Sequence, residues 1–257
     1  MKSFLRSWWQ LIIILLCSPY VYACEPAKRS SYPQLAIDGG FIIFHAVAVL
    51  EDEGEPSPEM GIGISFLNCA NGEENFIARL PYVADPGEVQ DAFIADSANG
   101  KDELFVIHSA PIRAFTGINY GSDYFSVMAF RREEDRYSLD KNLTEYLGSG
   151  ADVVDRQGDV DVPIYIYPYK SRAAVFLKLS SRSYLDWANK IARNLTVIDR
   201  AEIYSSMSIA NSTEMYLVKG DRVRLEQVSA GWGYILYVTA KGKEIHGWIL
   251  CEKLGGC

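Results

Sequence analysis

Three histidines, five cysteines and one short run of carboxylates are the residues whose types and spacing could do chemistry in this chain. His108 closes the apolar run Leu104-Phe105-Val106-Ile107 and is followed at once by Ser109. A base beside a hydroxyl is the start of nucleophilic catalysis, which also needs an orienting group and a geometry that spacing alone does not supply. His108 is therefore the best single catalytic candidate, and a weak one. His45 sits inside the apolar run Phe41–Leu50, where a core histidine hydrogen-bonded to its neighbours is expected. His246 precedes Gly247-Trp248 and reads as a structural or rim residue. Asp152 to Asp161 (DVVDRQGDVD) gathers carboxylates around a glycine but lacks the acid order of a calcium loop ending in a bidentate Glu, so a solvated loop is expected. The chain holds no Gly-x-Ser-x-Gly elbow, phosphate-binding Walker loop, His-Glu-x-x-His helix or dinucleotide fingerprint. No catalytic residue, cofactor or metal is assigned from these patterns.

The cysteines bear on compartment. Residues 1–23 begin with Lys2 and Arg6, pass through the apolar Leu11-Ile12-Ile13-Ile14-Leu15-Leu16 and end Val21-Tyr22-Ala23, the pattern of a secretory leader cleaved near Ala23. Cys17 leaves with that leader, and Cys24, Cys69, Cys251 and Cys257 remain as an even set suited to an oxidising compartment. Two disulfides, Cys24 to Cys69 and Cys251 to Cys257, are the favoured pairing, although four cysteines allow three. Gly255-Gly256 makes the second, tight closure feasible. A periplasmic or secreted protein is expected. The alternative is a lipoprotein anchored through Cys24, for which Tyr22 is bulkier than the lipoprotein pattern prefers, and only that alternative brings a membrane partner. A net charge of −8, falling by two to −10 once Lys2 and Arg6 leave, makes nucleic acid a poor partner.

The elements that must position these residues are mostly strands. Residues 24–180 read as a β-rich domain. Phe41–Leu50 is expected to be a central strand buried on both faces, because it shows no alternation. Glu51–Glu59 is an acidic loop, Met60–Leu67 resumes the sheet, and Asn71-Gly72 turns the chain toward Asn75–Tyr82. Leu104–His108 and Tyr124–Phe130 form a further pair. Between them Ile112–Asp123 is read first as a long sheet connection, and second as a recognition surface built from its glycines and tyrosines, Tyr120 among them. Leu143–Val154 is read as a flexible link, and Val162–Tyr169 and Ala173–Leu179 as strands near an edge. Ser181–Asn194 is the one expected helix, with Tyr184, Trp187, Ala188 and Ile191 on one stripe.

In residues 195–257, Tyr216-Leu217-Val218 stops at the turn Lys219-Gly220-Asp221, after which Val223 and Leu225 alternate with charged residues. Gly231-Trp232-Gly233 opens a third run, Tyr234–Val238, and Ala240–Lys243 turns it into a fourth, Ile245–Leu250. Four short, closely spaced strands suit a small barrel. Val197–Leu254 resembles the bacterial SH3 family in Ala201-Glu202-Ile203-Tyr204, in Met215–Val223, in Trp232 after a short loop and in Gly247-Trp248-Ile249. The resemblance implies an SH3-like β-barrel that binds cell-wall peptide, glycan or protein, or docks on a neighbouring domain. It makes the aromatic set Tyr204, Tyr216, Trp232 and Tyr234 the candidate ligand surface, Trp232 and Tyr234 on its rim, with Trp248 in the core. The fold class expected is thus mainly β, with a β-rich N-terminal domain, a linking helix at 181–194 and a C-terminal SH3-like barrel. The function expected is a non-enzymatic exported protein binding peptidoglycan or a protein partner. A periplasmic immunity or inhibitor protein and a cell-envelope hydrolase using His108 are the alternatives.

Overall fold

A computed structural model describes residues 24, 32–50, 55–98, 100–113, 117–134 and 136–257. The expected leader and the first half of the acidic loop lie outside the described residues. The chain is mainly β, as its β-branched and aromatic runs predict.

Strands β1 (Leu35–Ile37), β2 (Gly40–Leu50), β3 (Pro56–Asn68) and β4 (Glu74–Arg79) form an antiparallel meander in sequence order. β5 (Glu88–Asp96), β6 (Asp102–Ala110), β7 (Tyr124–Glu133) and β8 (Arg136–Leu139) form a second sheet, and helix α1 (Lys141–Leu147) leads into the two-residue β9 (Ser149–Gly150), which pairs back on β7. The sheets pack face to face: Ile42, Phe44, Ile64 and Phe66 of the first meet Leu104, Val106 and Phe130 of the second. β6 is the strand covered on both faces. Leu104 and Val106 look toward the first sheet while Phe105 and Ile107 look the other way, which is why the run is unbroken by polar residues. β2 does not fulfil the same expectation. Ile42 and Phe44 are fully buried, but the cover of their face ends at the exposed Ala46, and along the far half of the strand His45, Val47, Ala48 and Val49 are only half-buried and Leu50 is exposed.

The second face of the central sheet carries the helices. β10 (Val153–Gln157) and β11 (Val160–Tyr165) form a hairpin over the acidic run expected to be a loop; Arg156 pairs with Asp161 at 3.3 Å across it, and Gly158 supplies the positive φ of its turn. Residues 173–179, expected as an edge strand, belong to α2 (Arg172–Leu179). Ser171 caps it by accepting from the Ala174 amide, and Val175 and Leu179, four apart, are the buried pair; the apolar run has helical rather than alternating burial. α3 (Arg182–Ala188) starts at the Ser181 cap as expected but stops six residues early. Asn189 ends it and Lys190 takes a φ of +55°, so Ala188 is exposed, Ile191 is 49 % exposed, and residues 193–196 enter a strand. The expected flexible link at 143–154 is also ordered structure: Asp140 caps α1 through the Leu143 amide, and Tyr146 and Leu147 are buried at the centre of the molecule.

The C-terminal strands β12 (Arg193–Thr196), β13 (Ala201–Tyr204), β14 (Ser212–Leu217), β15 (Arg222–Ser229), β16 (Trp232–Val238) and β17 (Glu244–Leu250) form one antiparallel sheet in the order β12-β15-β16-β17-β13-β14. Leu195 from one end of that order and Leu217 from the other share a core with Val223, Ile235 and Ile249, so the sheet wraps around its own apolar face. A separate buried cluster joins this sheet to the rest of the chain. Phe105, Val127, Tyr146, Val175 and Tyr184 meet Val228, Ala230, Trp232 and Leu250 in it. Disulfides link Cys24 to Cys69 and Cys251 to Cys257, the pairing expected, with Cα separations of 5.3 and 5.2 Å.

Candidate functional site

The turn from β15 to β16 is the point from which the site can be built. Ala230 and Gly231 both take positive φ there, reversing the chain within two residues. The turn rests on the end of α1: the Ala230 amide donates to the Tyr146 carbonyl at 3.2 Å and Ser229 Oγ donates to the Glu145 carbonyl at 2.6 Å. Those are carbonyls at the helix end that would otherwise lack partners. Gly148 makes the approach possible, since a Cβ on it would stand 2.9 Å from Ala230 Cβ and 3.0 Å from the Ala230 nitrogen.

Trp232, next along the chain, is 2 % exposed, not a rim residue. Along β16 it alternates with the barrel-facing Ile235, so it points away from the barrel core, as an exposed platform would. That outer face is covered, however, and Trp232 packs on Tyr165 of the hairpin, with ring centroids 5.3 Å apart, and on Tyr204 at 5.1 Å. Tyr165 Oη donates to the Ala230 carbonyl at 2.5 Å. Tyr204 is likewise buried, and burial pushes its hydroxyl up to about 12. Tyr120 is half-buried in the second half of the 112–123 loop, which is pinned to the hairpin: Gly121 N donates to the Asp152 carbonyl and Asp152 N to Ser122 Oγ, both at 2.9 Å. Asp152, first of the candidate calcium carboxylates, is held by Lys170 and by the Tyr167 amide. Among the described residues no three metal-ligating side chains cluster.

Two clefts open along the seam between the α1 end and the barrel. The first, of 640 Å³, has Tyr120, Tyr124, Tyr165 and Trp232 in its walls and floor. The second, of 530 Å³, lies on the far side of α1 and has the rings of Tyr146, Tyr184 and Trp187 in it, together with Arg131, Asp140 and Lys190. Glu145 and Gln227 line both, so the two clefts adjoin along the seam. Each cleft holds a buried hydroxyl without a hydrogen bond. Ser126, 8 % exposed, lines the first, and Tyr146, 1 % exposed, lines the second; Ser183 is near Tyr146 but outside hydrogen-bond geometry. Both oxygens are closed off from solvent, so they are unsatisfied within the cleft walls and not at the open surface of the cleft.

The structure brings Tyr120 and Trp232 to one cleft, sets Tyr204 behind Trp232, and leaves the other two aromatic candidates elsewhere. Tyr234 lies on the same outer face of β16 as Trp232 but outside the cleft lining, between His246 and Trp248, with Trp248 half-buried instead of in the core. Tyr216 is half exposed with the Arg200 guanidinium 4.0 Å over its ring. Tyr124, Tyr165, Ser126, Glu145 and Gln227 escaped the sequence reading. Of these, Ser126 carried a signal, being the one polar residue inside the apolar run Tyr124–Phe130.

The histidines form no base and nucleophile pair. His108 is 2 % exposed, its Nε2 donates to the Pro86 carbonyl at 2.9 Å, and burial holds its pKa below the usual range. Ser109 Oγ accepts instead from Gln90. His45 Nε2 is 2.8 Å from Ser65 Oγ and 3.3 Å from Glu74, but both contacts use the same ring nitrogen, whereas a relay needs the carboxylate on the other one. Ser65 is moreover 1 % exposed. His246 Nδ1 pairs with Glu226 at 3.3 Å on the barrel surface.

No family model, no curated protein and no solved structure matches the chain.

Proposed function

We propose that this is an exported, non-enzymatic binding protein, periplasmic or secreted, whose ligand is cell-wall peptidoglycan held in the seam groove. The observation that carries the reading is the first cleft, 640 Å³ in volume with Tyr120, Tyr124, Tyr165 and Trp232 in its lining. The leader-like start and the two disulfides support export, and a Cys24 sulfur shared with Cys69 is not available for a lipid thioether. The resemblance of 197–254 to the bacterial SH3 family supports the choice of wall material, although the groove lies between the barrel and its neighbour and its lining does not include Tyr234 or Trp248.

Cosedimentation of the mature, oxidised protein with purified sacculi tests this, with a pull-down from periplasm and culture fluid beside it. Tyr124, 39 % exposed at the cleft mouth, can be truncated without opening the core. Retention on sacculi should fall at least about tenfold for Tyr124→Ala, the loss of an aromatic anchor, and stay unchanged for Tyr234→Ala outside the cleft lining. Equal retention of both variants would remove the groove from the reading. Capture of one discrete protein, with none of the chain on sacculi, would replace the wall with a protein partner.

A further inference from the structure

The first cleft is asymmetric in charge. The described residues that line it include one carboxylate, Glu145, and no Lys, Arg, His or second acid. Glu145 is exposed on α1 and enters no ion pair or side-chain hydrogen bond among the described residues. It stands beside four aromatic side chains, and the chain as a whole carries a net charge of −8. An aromatic face is the negative end of a quadrupole, so rings with a nearby carboxylate form an environment that favours a cation and its methylenes. The exposed Gln227, whose amide can both donate and accept, adds a neutral hydrogen-bonding group to the lining. A volume of 640 Å³ is too large for a lone ammonium ion and suits a short peptide segment with its side chain.

We propose that the first cleft recognises an ammonium group borne on a peptide, with Glu145 as its counter-ion, the Tyr120 and Tyr124 rings against its methylenes, and Gln227 bonding the peptide's main chain. This rests on the wall-binding reading and specifies which part of the wall is held: the amine-bearing peptide, not the glycan. The second cleft lacks this asymmetry, since its Arg131 is paired with Asp140 and Glu103.

The test uses the mature protein with untreated sacculi and with sacculi whose free amines have been acetylated, followed by titration calorimetry with acetyl-Gly-Lys-Gly-amide, its Nε-acetyl-lysine counterpart and a chito-oligosaccharide. Untreated sacculi and the lysine peptide should bind, acetylation should weaken each at least about tenfold, and the oligosaccharide should not compete. Glu145→Gln should bring the lysine peptide down to the level of its acetylated form. Gln227→Ala should weaken both peptides alike, because it acts on the main chain. Equal binding of untreated and acetylated sacculi, lost in Tyr124→Ala, would overturn the ammonium inference and leave the wall-binding reading in place. Binding of neither kind of sacculi would overturn both. Unchanged discrimination in Glu145→Gln would remove that carboxylate as the counter-ion.

Discussion

Lys178 sets a pH dependence that can be worked out from its surroundings. Its ammonium donates to Ser183 Oγ at 2.9 Å and to the Cys257 carbonyl at 2.8 Å, and lies 5.6 Å over the Tyr146 ring, so it latches α2 to α3 and to the end of the barrel. Burial, and next the Arg193 guanidinium, push its pKa down from 10.5 to about 8. Because the folded value lies below the unfolded one, the folded chain holds fewer protons between about pH 8 and 10.5, and stability rises with pH across that window. One pKa unit is worth about 1.4 kcal/mol, so the gain from this group between pH 7 and 9 is about 1 kcal/mol. The buried tyrosines act in the opposite sense, but later. Tyr146, Tyr167 and Tyr184 are held above their usual value of 10 by burial, so they cost stability only as the unfolded chain begins to lose phenolic protons near pH 10. Urea unfolding at pH 7, 8 and 9 and constant ionic strength should show a rising midpoint, followed by a fall above pH 10. All four cysteines from Cys24 onward are paired, so no thiolate forms to confuse the series. In Lys178→Met the rise should vanish. A flat or falling wild-type profile between pH 7 and 9, or a rise retained in the variant, would refute the assignment.

Ser126→Ala should stabilise the protein by about 1–2 kcal/mol, by removing a buried hydroxyl that has no partner; a lower thermal midpoint would show that the hydroxyl is satisfied. Trp232→Ala should cost about 3–5 kcal/mol as a core truncation, so any loss of binding in it must be compared with its unfolding curve, and an unaltered midpoint would put the ring back on the surface. Gly148→Ala combines a φ of +63° with contact against Ala230, and about 1–3 kcal/mol of destabilisation is expected in chemical denaturation. Removing the Cys24 to Cys69 bond, which spans 45 residues, should cost about 4 kcal/mol by loop entropy, more than removing the bond across 6 residues at the other end; the order of the two midpoints checks it.

What could be read from the sequence was whatever one strand or turn decides locally. The turn at Lys219-Gly220-Asp221 and that at Ala240–Lys243 lie where their glycines and flanking alternation put them, between β14 and β15 and between β16 and β17. That the cysteines pair followed from number and compartment, whereas the pairing found is one of the three that four cysteines allow. Errors came where tertiary cover decides the outcome. β2 and β6 have equally apolar runs, yet only β6 is covered twice, and nothing within either run distinguishes them. α2 was mistaken for a strand because Ala173-Ala174-Val175-Phe176-Leu177 is apolar throughout, and such a run does not separate helix from strand by period. Its cap at Ser171, resolved by the Ala174 amide, was the informative residue.

The site was less legible than the fold for a reason that lies in its construction. Tyr120, Glu145, Tyr165 and Trp232 belong to a loop, a helix, a hairpin and the barrel, and only the docking of the barrel turn on α1 brings them to one cleft. Alternation along β16 correctly places Trp232 on the face opposite the barrel core; that this face is buried depends on Tyr165, 67 positions earlier in the chain. The same docking relates the site to stability. Tyr165 Oη, Ser229 Oγ and the Ala230 amide fix the wall of the groove through bonds that also hold the two halves of the chain together. Tyr165 and Trp232 are thus fixed in the wall by the bonds that dock the barrel on α1, whereas Tyr124 and Glu145 are exposed lining residues whose side chains carry none of that docking, so their truncation tests binding without the cost of opening the core.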